Sequence, residues 1–444
     1  MRFNQRFLNE MKNSTTLSDR DHEAIWHPFT QHGLGRPLLP IKEAEGAVLR
    51  DETGREYLDV ISSWWVNLHG HGRPELAHAV SDQVLRLDHV QFAGATHGPA
   101  VLLAERLLEK ACLTGAARVF YSDNGSTAVE SALKIAHQHW VNRGTPRRLF
   151  ATLRGAYHGD TVGAMSVGRS SGFFDAFGSL LFETMTLPVP LIWKGFANEE
   201  GEREALCEIS RLLESEGESF AGLIVEPLVQ GAGGMRFHSA RFLSELCRTF
   251  RERGIPVIFD EVMTGFGRTG SFFAYQQTDV IPDLICLSKG ITGGILPLAV
   301  TIASNDLFDS FLGNDFSKAL AHGHSYTANP VACAAALASL DLHESTASLD
   351  QVARINWCMA RNLERVAPHP KVEKARLLGG IAAFDLAGSD FGYSAGSGRE
   401  LATALQDRGI LLRPLGNVIY LMPPYCVTDE QIGRAFEAIL SCLG

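Results

Sequence analysis

The sequence predicts an α/β fold in which helices wrap a large, mostly parallel sheet and a smaller α+β unit packs against it. Between residues 70 and 340, helical patterns at 98–111 and 126–140 alternate with short apolar runs. These runs have the length of buried strands. They lie at 118–121, 148–152, 222–225, 257–259 and 284–287.

The two ends of the chain complete the predicted organisation. Residues 41–61 alternate as in a hairpin that turns at Glu52-Thr53-Gly54. In the tail, a long helical stretch precedes predicted strands at 376–386 and 410–422 and predicted helices at 397–408 and 428–442; the stretch covers 329–366. We therefore expect an N-terminal segment that is part of a small domain, a large cofactor-binding domain and a C-terminal small domain, at 1–69, 70–340 and 341–444.

The composition of the chain excludes several classes of protein. With 444 residues, 45% of them hydrophobic, the chain can bury a large core, which excludes disordered and fibrous classes. The net charge of -10 argues against nucleic acid as a partner, because binding phosphates requires a concentrated basic surface. The longest apolar stretch, 290–304, is interrupted by glycine and proline and is too short to span a membrane.

Cysteine and histidine spacing predicts neither disulfides nor a metal site. The eight cysteines include no Cys-x-x-Cys pair, which favours a reducing compartment. Histidine pairs two residues apart, such as His69/His71 and His322/His324, lack the nearby ligands that would complete a metal site. The N-terminus lacks the apolar core of a secretory signal, so we expect a cytoplasmic protein.

Two charged residues follow neighbouring buried strands, and together they predict a pyridoxal-phosphate (PLP) site. Asp260 ends one apolar run, and Lys289 follows the next within Ser-Lys-Gly. Ligands of open α/β sheets bind at the carboxyl ends of strands. PLP needs a lysine amine for covalent attachment and a carboxylate that keeps its pyridine nitrogen protonated. Taken singly, Asp260 could cap a helix and Lys289 could be a solvated loop residue.

The segment 122–127, Ser-Asp-Asn-Gly-Ser-Thr, lies between a strand and a helix and is the candidate phosphate site. Backbone N–H groups and the dipole at a helix N-terminus favour a phosphate dianion. We assign the phosphate contacts to Gly125 and Ser126. The alternative is simple N-capping of the helix by Ser126 or Thr127.

Aromatic and charged residues near other strand ends extend the candidate site. Tyr157 follows a strand and could lie flat against a cofactor ring, whereas a core role is the alternative. Of the adjacent Trp64 and Trp65, only one is expected to line a pocket, because neighbours on a strand face opposite sides. Glu226 and Arg268 lie beside apolar strands, either as mutually supporting site residues or as surface ion pairs.

With these residues in place, the chain resembles the class III (omega) aminotransferases of PLP fold type I over nearly its whole length. The series FDEVMTGFGRTG at 259–270 and LSKGITGG at 287–294 carries the resemblance to the class. Four further segments are similar to members that act in biotin synthesis. They are SSWW at 62–65, YHGDT at 157–161, QGAGGM at 230–235 and LMPPY at 421–425.

The resemblance implies an activity and a set of site residues. It implies a homodimer with shared active sites that uses PLP to aminate 8-amino-7-oxononanoate, with S-adenosylmethionine as donor. The implied catalytic residues are Lys289, Asp260 and Tyr157. The implied cofactor-binding residues are Gly125, Ser126, Tyr157, Asp260, Lys289, His324 and Ser325, the last two acting in the neighbouring subunit. The implied substrate-binding residues are Phe29, Trp64, Tyr157, Lys289, Gly323 and Arg413, whose planar donors suit a carboxylate.

Two positions depart from the pattern of many relatives. Phe29 replaces a tyrosine and lacks its hydroxyl, and Leu415 stands where phenylalanine is common. Both departures concern substrate recognition. They leave three alternatives open: lysine as the donor in the same reaction, another omega-aminotransferase acting on ornithine, 4-aminobutyrate or a diamine, and a noncatalytic PLP-binding regulator.

Overall fold

A computed structural model describes residues 16–36, 38–169, 174–191, 198–388 and 396–444. Within these residues the chain forms sixteen strands. They are β1 Ile41–Glu45, β2 Val48–Asp51, β3 Glu56–Asp59, β4 Ala117–Ser122, β5 Leu149–Leu153, β6 Met185–Leu187, β7 Phe220–Val225, β8 Val229–Gln230, β9 Arg236–Phe237, β10 Val257–Asp260, β11 Leu284–Leu287, β12 Ala299–Ser304, β13 Val372–Leu378, β14 Ile381–Leu386, β15 Ile410–Leu411 and β16 Val418–Leu421.

The same described residues form thirteen α-helices and several short 3-10 turns. The helices are α1 Leu17–Ala24, α2 Ser62–Trp65, α3 Pro74–Arg86, α4 Gly98–Lys110, α5 Gly125–Asn142, α6 Val162–Val167, α7 Glu199–Glu216, α8 Ala240–Arg251, α9 Asn305–Asp309, α10 Pro330–Ser345, α11 Ser348–Val366, α12 Ser397–Gln406 and α13 Asp429–Leu443. Across the described ranges, none of these helices has the length and apolarity needed to cross a bilayer.

The seven-stranded sheet that organises the molecule has the order β4-β12-β11-β10-β7-β5-β6. Only β12 runs antiparallel to its neighbours, so the predicted mostly parallel sheet is confirmed. Successive side chains of β10 enter different cores: Ile258 packs beneath α5, whereas Val257 and Phe259 join the larger cluster on the other face. Because both faces are covered, the strands are apolar throughout their length.

A second sheet joins the two ends of the chain. Strands β2 and β3 form the predicted hairpin, which turns at residues 52–54, and β1 adds to its edge. Strand β15 pairs in parallel with β3, so that Ile410 faces Leu58. This pairing supports grouping the N-terminal segment with the tail. The domain boundaries at 69 and 340 stay a prediction.

The tail departs from the prediction in three places. The single strand expected at 376–386 is wrong, because Gly379, at φ +55°, turns the chain between β13 and β14. The strand expected at 410–422 is likewise two strands, β15 and β16. The helical stretch at 329–366 divides into α10 and α11 at Ala347, which has φ +47°. The apolar run at 290–304 contributes β12, an internal strand that the sequence did not predict.

A buried histidine in the core predicts acid sensitivity. Burial lowers the pKa of His69, which hydrogen-bonds Ser339 through Nε2 at 3.0 Å, from 6.5 to about 3. Between these pH values the unfolded chain binds a proton that the folded protein does not. The stability present above pH 6.5 is therefore lost as the pH falls, by about 1.4 kcal/mol per pH unit from this group.

Urea unfolding at pH 7, 6, 5 and 4 measures this effect. We expect His69→Gln to be less stable at pH 7 but to lose stability with a shallower slope on acidification, since the titrating group is gone. Parallel slopes for the two proteins would contradict the assignment.

Candidate active site

The largest polar cleft along the carboxyl ends of the parallel strands is a cavity of about 480 Å³. Asp260 and Lys289 both line it, as expected for residues that follow the paired strands β10 and β11. The other predicted residues in its wall are Gly125, Ser126, Tyr157 and Glu226. Over the described part of the chain, no group of three or more His, Cys, Asp or Glu side chains could hold a metal ion.

Lys289 is held in an unusual backbone conformation directly after β11. Its φ is +46°, and a Cβ added at the following Gly290 would lie 2.9 Å from Leu68 Cδ1, so this turn depends on a glycine. The amine Nζ lies 4.8 Å from the ring centroid of Trp65. Burial lowers the pKa of Lys289, while the charge of Asp260 opposes the shift. A larger fraction of unprotonated amine favours nucleophilic attack.

Asp260 is oriented by a partner that the sequence prediction missed. Its Oδ1 accepts a hydrogen bond from the Val262 amide at 3.1 Å, and its Oδ2 accepts one from Nδ1 of His158 at 2.7 Å. Both members of this pair are buried, which strengthens a charge-assisted bond. The one available signal was the position of His158, directly after Tyr157 in a polar loop.

The N-terminus of α5 presents two backbone donors to the cavity. Asn124 and Thr127 form a capping box in which each side chain accepts from the other's backbone N–H, at 3.1 Å in both cases. The capping residue is thus Asn124, and the alternative that Ser126 or Thr127 caps the helix is wrong. The box leaves the amides of Gly125 and Ser126, which both line the cavity, directed at a potential anion.

Gly125 allows the close approach of this helix end to the cavity wall. A Cβ at this position would lie 2.7 Å from Cγ1 of Val262. We expect Gly125→Ala to weaken PLP binding about 10-fold, because overpacking of this kind costs ~1–3 kcal/mol. Absorbance titration of the cofactor-free protein measures the Kd. Gly433→Ala, in open space on α13, is the control; equal affinities for the two variants would contradict the assignment.

Tyr157 lines the cavity and is held at three points. Its hydroxyl donates to Oδ1 of Asp160 at 2.8 Å, its amide donates to Oε1 of Glu226 at 3.0 Å, and its ring stacks on Phe174 with centroids 5.8 Å apart. Burial raises the pKa of Tyr157, so its hydroxyl stays protonated. The aromatic face is therefore available to a planar cofactor, as predicted for this residue.

Glu226 and Arg268 are both buried, but they do not support each other. Glu226 accepts backbone hydrogen bonds in the cavity wall. Arg268 donates to the carbonyls of Pro423 and Asn67, and it lies 5.1 Å from the Tyr425 ring centroid. The prediction of a mutual pair is thus wrong, as is the alternative of surface ion pairs. The carbonyls of Pro423 and Asn67 belong to distant segments, which sequence spacing cannot bring together.

Three predicted substrate-binding residues form a separate cluster. The guanidinium of Arg413 lies 3.9 Å above the Trp64 ring, and Phe29 meets that ring edge-on at 5.9 Å. The expectation that the two tryptophans share a strand is wrong, because they lie in α2, where Trp65 has φ +69°. It is Trp65 that lines the cavity. The substrate role of Trp64, Phe29 and Arg413 stays a prediction.

The segment Gly323-His324-Ser325 lies outside the cavity formed by its own chain. It follows the 3-10 turn Phe316–Lys318 and precedes α10, where Thr327 accepts a hydrogen bond from the His324 amide at 3.0 Å. Its predicted contact with the cofactor would therefore be made in another subunit, and stays a prediction.

The cavity has the chemical groups that PLP requires. The buried Lys289 amine suits the aldehyde, the oriented Asp260 carboxylate suits the ring nitrogen, and two helix N-terminal amides suit the phosphate. An aminotransferase class-III family model matches residues 29–443.

The chain belongs to the class III aminotransferases.

Individual relatives of this class III aminotransferase share its full length. It is 47% identical to an adenosylmethionine-8-amino-7-oxononanoate aminotransferase of Synechococcus elongatus, over 95% of this chain and 99% of the relative. A protein of the same name from Helicobacter pylori is 38% identical over 96% and 97% of the two chains.

Solved structures agree with this assignment. The crystal structure of an adenosylmethionine-8-amino-7-oxononanoate aminotransferase from Methanocaldococcus jannaschii superimposes with a TM-score of 0.89, at 35% identity, and covers 96% and 98% of the chains. A PLP-bound amine transaminase from an uncultivated Pseudomonas species, at 32% identity, also reaches 0.89 and covers 95% and 98%. The predicted fold class and the PLP cofactor are confirmed.

Proposed function

We propose that this class III aminotransferase converts 8-amino-7-oxononanoate to 7,8-diaminononanoate in biotin synthesis, with S-adenosylmethionine as amino donor. The observation that carries the proposal is the convergence of Lys289, Asp260 and two helix N-terminal amides on one cavity. The names of the full-length relatives add the substrate and the donor.

The residues of the cavity divide the work of two half-reactions. When bound, PLP supplies an electron sink for the pair left behind when the substrate carbon loses its proton. Lys289 holds the cofactor at rest; once the donor displaces it, its free amine carries the proton. Asp260, oriented by His158, keeps the ring nitrogen protonated, and Tyr157 covers one ring face. The donor leaves without its amino group, which the ketone acceptor then takes up.

The cluster of Phe29, Trp64 and Arg413 fits the far end of the acceptor. A guanidinium held flat over an indole presents its edge to a carboxylate, while the two aromatic rings suit an aliphatic chain. Neither ring adds a hydroxyl. The recognition of the donor therefore depends on other groups than in relatives with tyrosine at position 29.

We further propose a cytoplasmic homodimer in which Gly323, His324 and Ser325 complete the partner's site. All eight cysteines are free, which fits a reducing compartment. Buried in its own chain, Nε2 of His324 has no hydrogen-bond partner among the described residues. Light scattering at micromolar concentration tests the dimer; a monomer with full activity would contradict it.

A panel of amino donors tests the proposed reaction. Purified protein with PLP and 8-amino-7-oxononanoate is supplied in turn with S-adenosylmethionine, lysine, ornithine, 4-aminobutyrate and a diamine, and 7,8-diaminononanoate is measured. We expect product with S-adenosylmethionine. Product with lysine alone would support the lysine-dependent alternative. No product with any donor would contradict the proposed function.

The visible spectrum separates an enzyme from a noncatalytic PLP-binding protein. Addition of S-adenosylmethionine alone completes only the first half-reaction, so the visible band of the bound cofactor should bleach stoichiometrically. Subsequent addition of the keto acid should restore it, as a ping-pong mechanism requires. A band that stays unchanged with every donor would favour the regulator.

A further inference from the structure

We propose that Glu226 is a positioning residue that locks the loop carrying Tyr157 to the opposite cavity wall at Gly231 and Ala232. The inference rests on the transamination proposed above but not on the identity of the donor. It concerns a buried carboxylate to which the mechanism assigns no proton transfer.

The geometry of Glu226 gives it two separate duties. It directly follows β7, and only 5% of its surface is exposed. Its Oε1 accepts the amide hydrogen of Tyr157 at 3.0 Å, and its Oε2 accepts that of Gly231 at 2.7 Å. Each oxygen is thus committed to a different loop. Hydrogen bonds to a buried charged acceptor are among the stronger ones in proteins.

The two loops are also in direct contact. A Cβ at Gly233 would lie 2.1 Å from the carbonyl oxygen of Gly155, so the backbones touch. The side-chain amide of Gln230 donates to the carbonyl of Arg154 at 3.1 Å. Since Ala232 and Tyr157 both line the cavity, movement of one loop displaces both walls.

The small three-stranded sheet holds the far end of the same loop. Arg376, on β13, donates from Nη2 to the carbonyl of Gly234 at 2.7 Å and from Nε to that of Met235 at 2.5 Å. The loop at 231–235 is therefore fixed by Glu226 at the cavity and by Arg376 behind it. Of these two anchors, only Glu226 also reaches Tyr157.

The charge of Glu226 is balanced by its surroundings. Burial raises its pKa to about 7, the charge of Asp260 adds to this shift, and His158 opposes it. Lys289 and Arg236 are the cations that also interact with it. Because these groups face one cavity, protonation of Glu226 would weaken its acceptor strength toward both amides within the neutral pH range.

The isosteric change Glu226→Gln tests the lock. A glutamine offers one acceptor oxygen and one N–H group, so it can accept from Tyr157 or from Gly231 but not from both. Glu261→Gln is the matched control, since Glu261 is also buried and accepts from two backbone amides, those of Ala274 and Tyr275, outside the cavity lining. We expect similar losses of thermal stability in the two variants.

Amide hydrogen exchange of the cofactor-free proteins reads the contact directly. We expect exchange in 155–160 or 230–235 to accelerate about 10-fold or more in Glu226→Gln and to stay unchanged in Glu261→Gln. In the PLP-bound proteins, only Glu226→Gln should change the visible circular dichroism of the cofactor and lower kcat, by about 10-fold. The dependence of kcat on pH near 7 should flatten in that variant alone.

These measurements separate the possible failures. Equal exchange and equal dichroism in the two variants would overturn the inference, while wild-type transamination would leave the proposed function standing. Absence of transamination in the wild type would contradict the proposed function, and the exchange pattern would still decide on the lock. If Glu226→Gln does not fold, Glu226→Asp replaces it, because a shorter carboxylate keeps the charge but cannot reach both loops; unchanged exchange there would also overturn the inference.

Discussion

Lys289→Ala is expected to lower the rate of transamination by a factor of about 10³ or more, since it removes both the covalent attachment and the proton carrier. The phosphate contacts at Gly125 and Ser126 remain, so PLP should still bind, but without the band of a lysine-bound cofactor. Single-turnover rates with S-adenosylmethionine, followed by absorbance, measure the change.

Two controls make the result specific. Lys110→Ala removes a lysine that pairs with Glu344 outside the cavity, and it should retain the wild-type rate. Added methylamine should restore part of the proton transfer in Lys289→Ala, because a small amine can enter the space left by the side chain. Robust turnover by Lys289→Ala without added amine would refute the proposed mechanism.

Asp260→Asn is expected to lower kcat about 100-fold or more, with little effect on the fold. A carboxylate beside a cationic ring nitrogen shifts its pKa by about 1–3 units, and an amide cannot supply that charge. The substituted amide would also place an N–H group or a neutral oxygen opposite Nδ1 of His158. The measurement is kcat together with the pH dependence of the cofactor spectrum.

The control for this change is Asp283→Asn. Asp283 precedes β11 at the opposite end of the sheet, where it accepts from the Val257 amide at 2.9 Å, and it does not line the cavity. We expect it to affect stability but not the cofactor spectrum. Equal kinetic losses in the two variants would indicate a general structural effect and would contradict the role of Asp260.

The convergence of Asp260 and Lys289 could be predicted from the sequence, because it follows from local order. Each residue ends an apolar run, and parallel strands place their carboxyl ends at one edge. Neither the strand order nor a helix was needed for this prediction. The capping box at Asn124 was predictable in kind but not in register, since Ser126 and Thr127 have equally suitable side chains.

Other parts of the site depend on contacts between distant segments. The pairing of His158 with Asp260 joins residues 102 positions apart, and periodicity contains no information about it. Arg268 likewise finds its acceptors in the carbonyls of Pro423 and Asn67. The strand β12 was missed because an apolar run interrupted by glycine and proline does not show the alternation of a typical strand.

The pairing of β15 with β3 has a consequence for synthesis on the ribosome. Leu58 donates its amide hydrogen to the carbonyl of Gly409, and Trp65 donates its indole hydrogen to the hydroxyl of Tyr420. Some 350 residues must emerge between these partners, so the wall beside the catalytic lysine is completed only near the end of translation. Nascent chains should therefore expose the edge of β3 for many seconds, at the usual rate of about 5–20 residues per second, which makes this enzyme a natural client for chaperones.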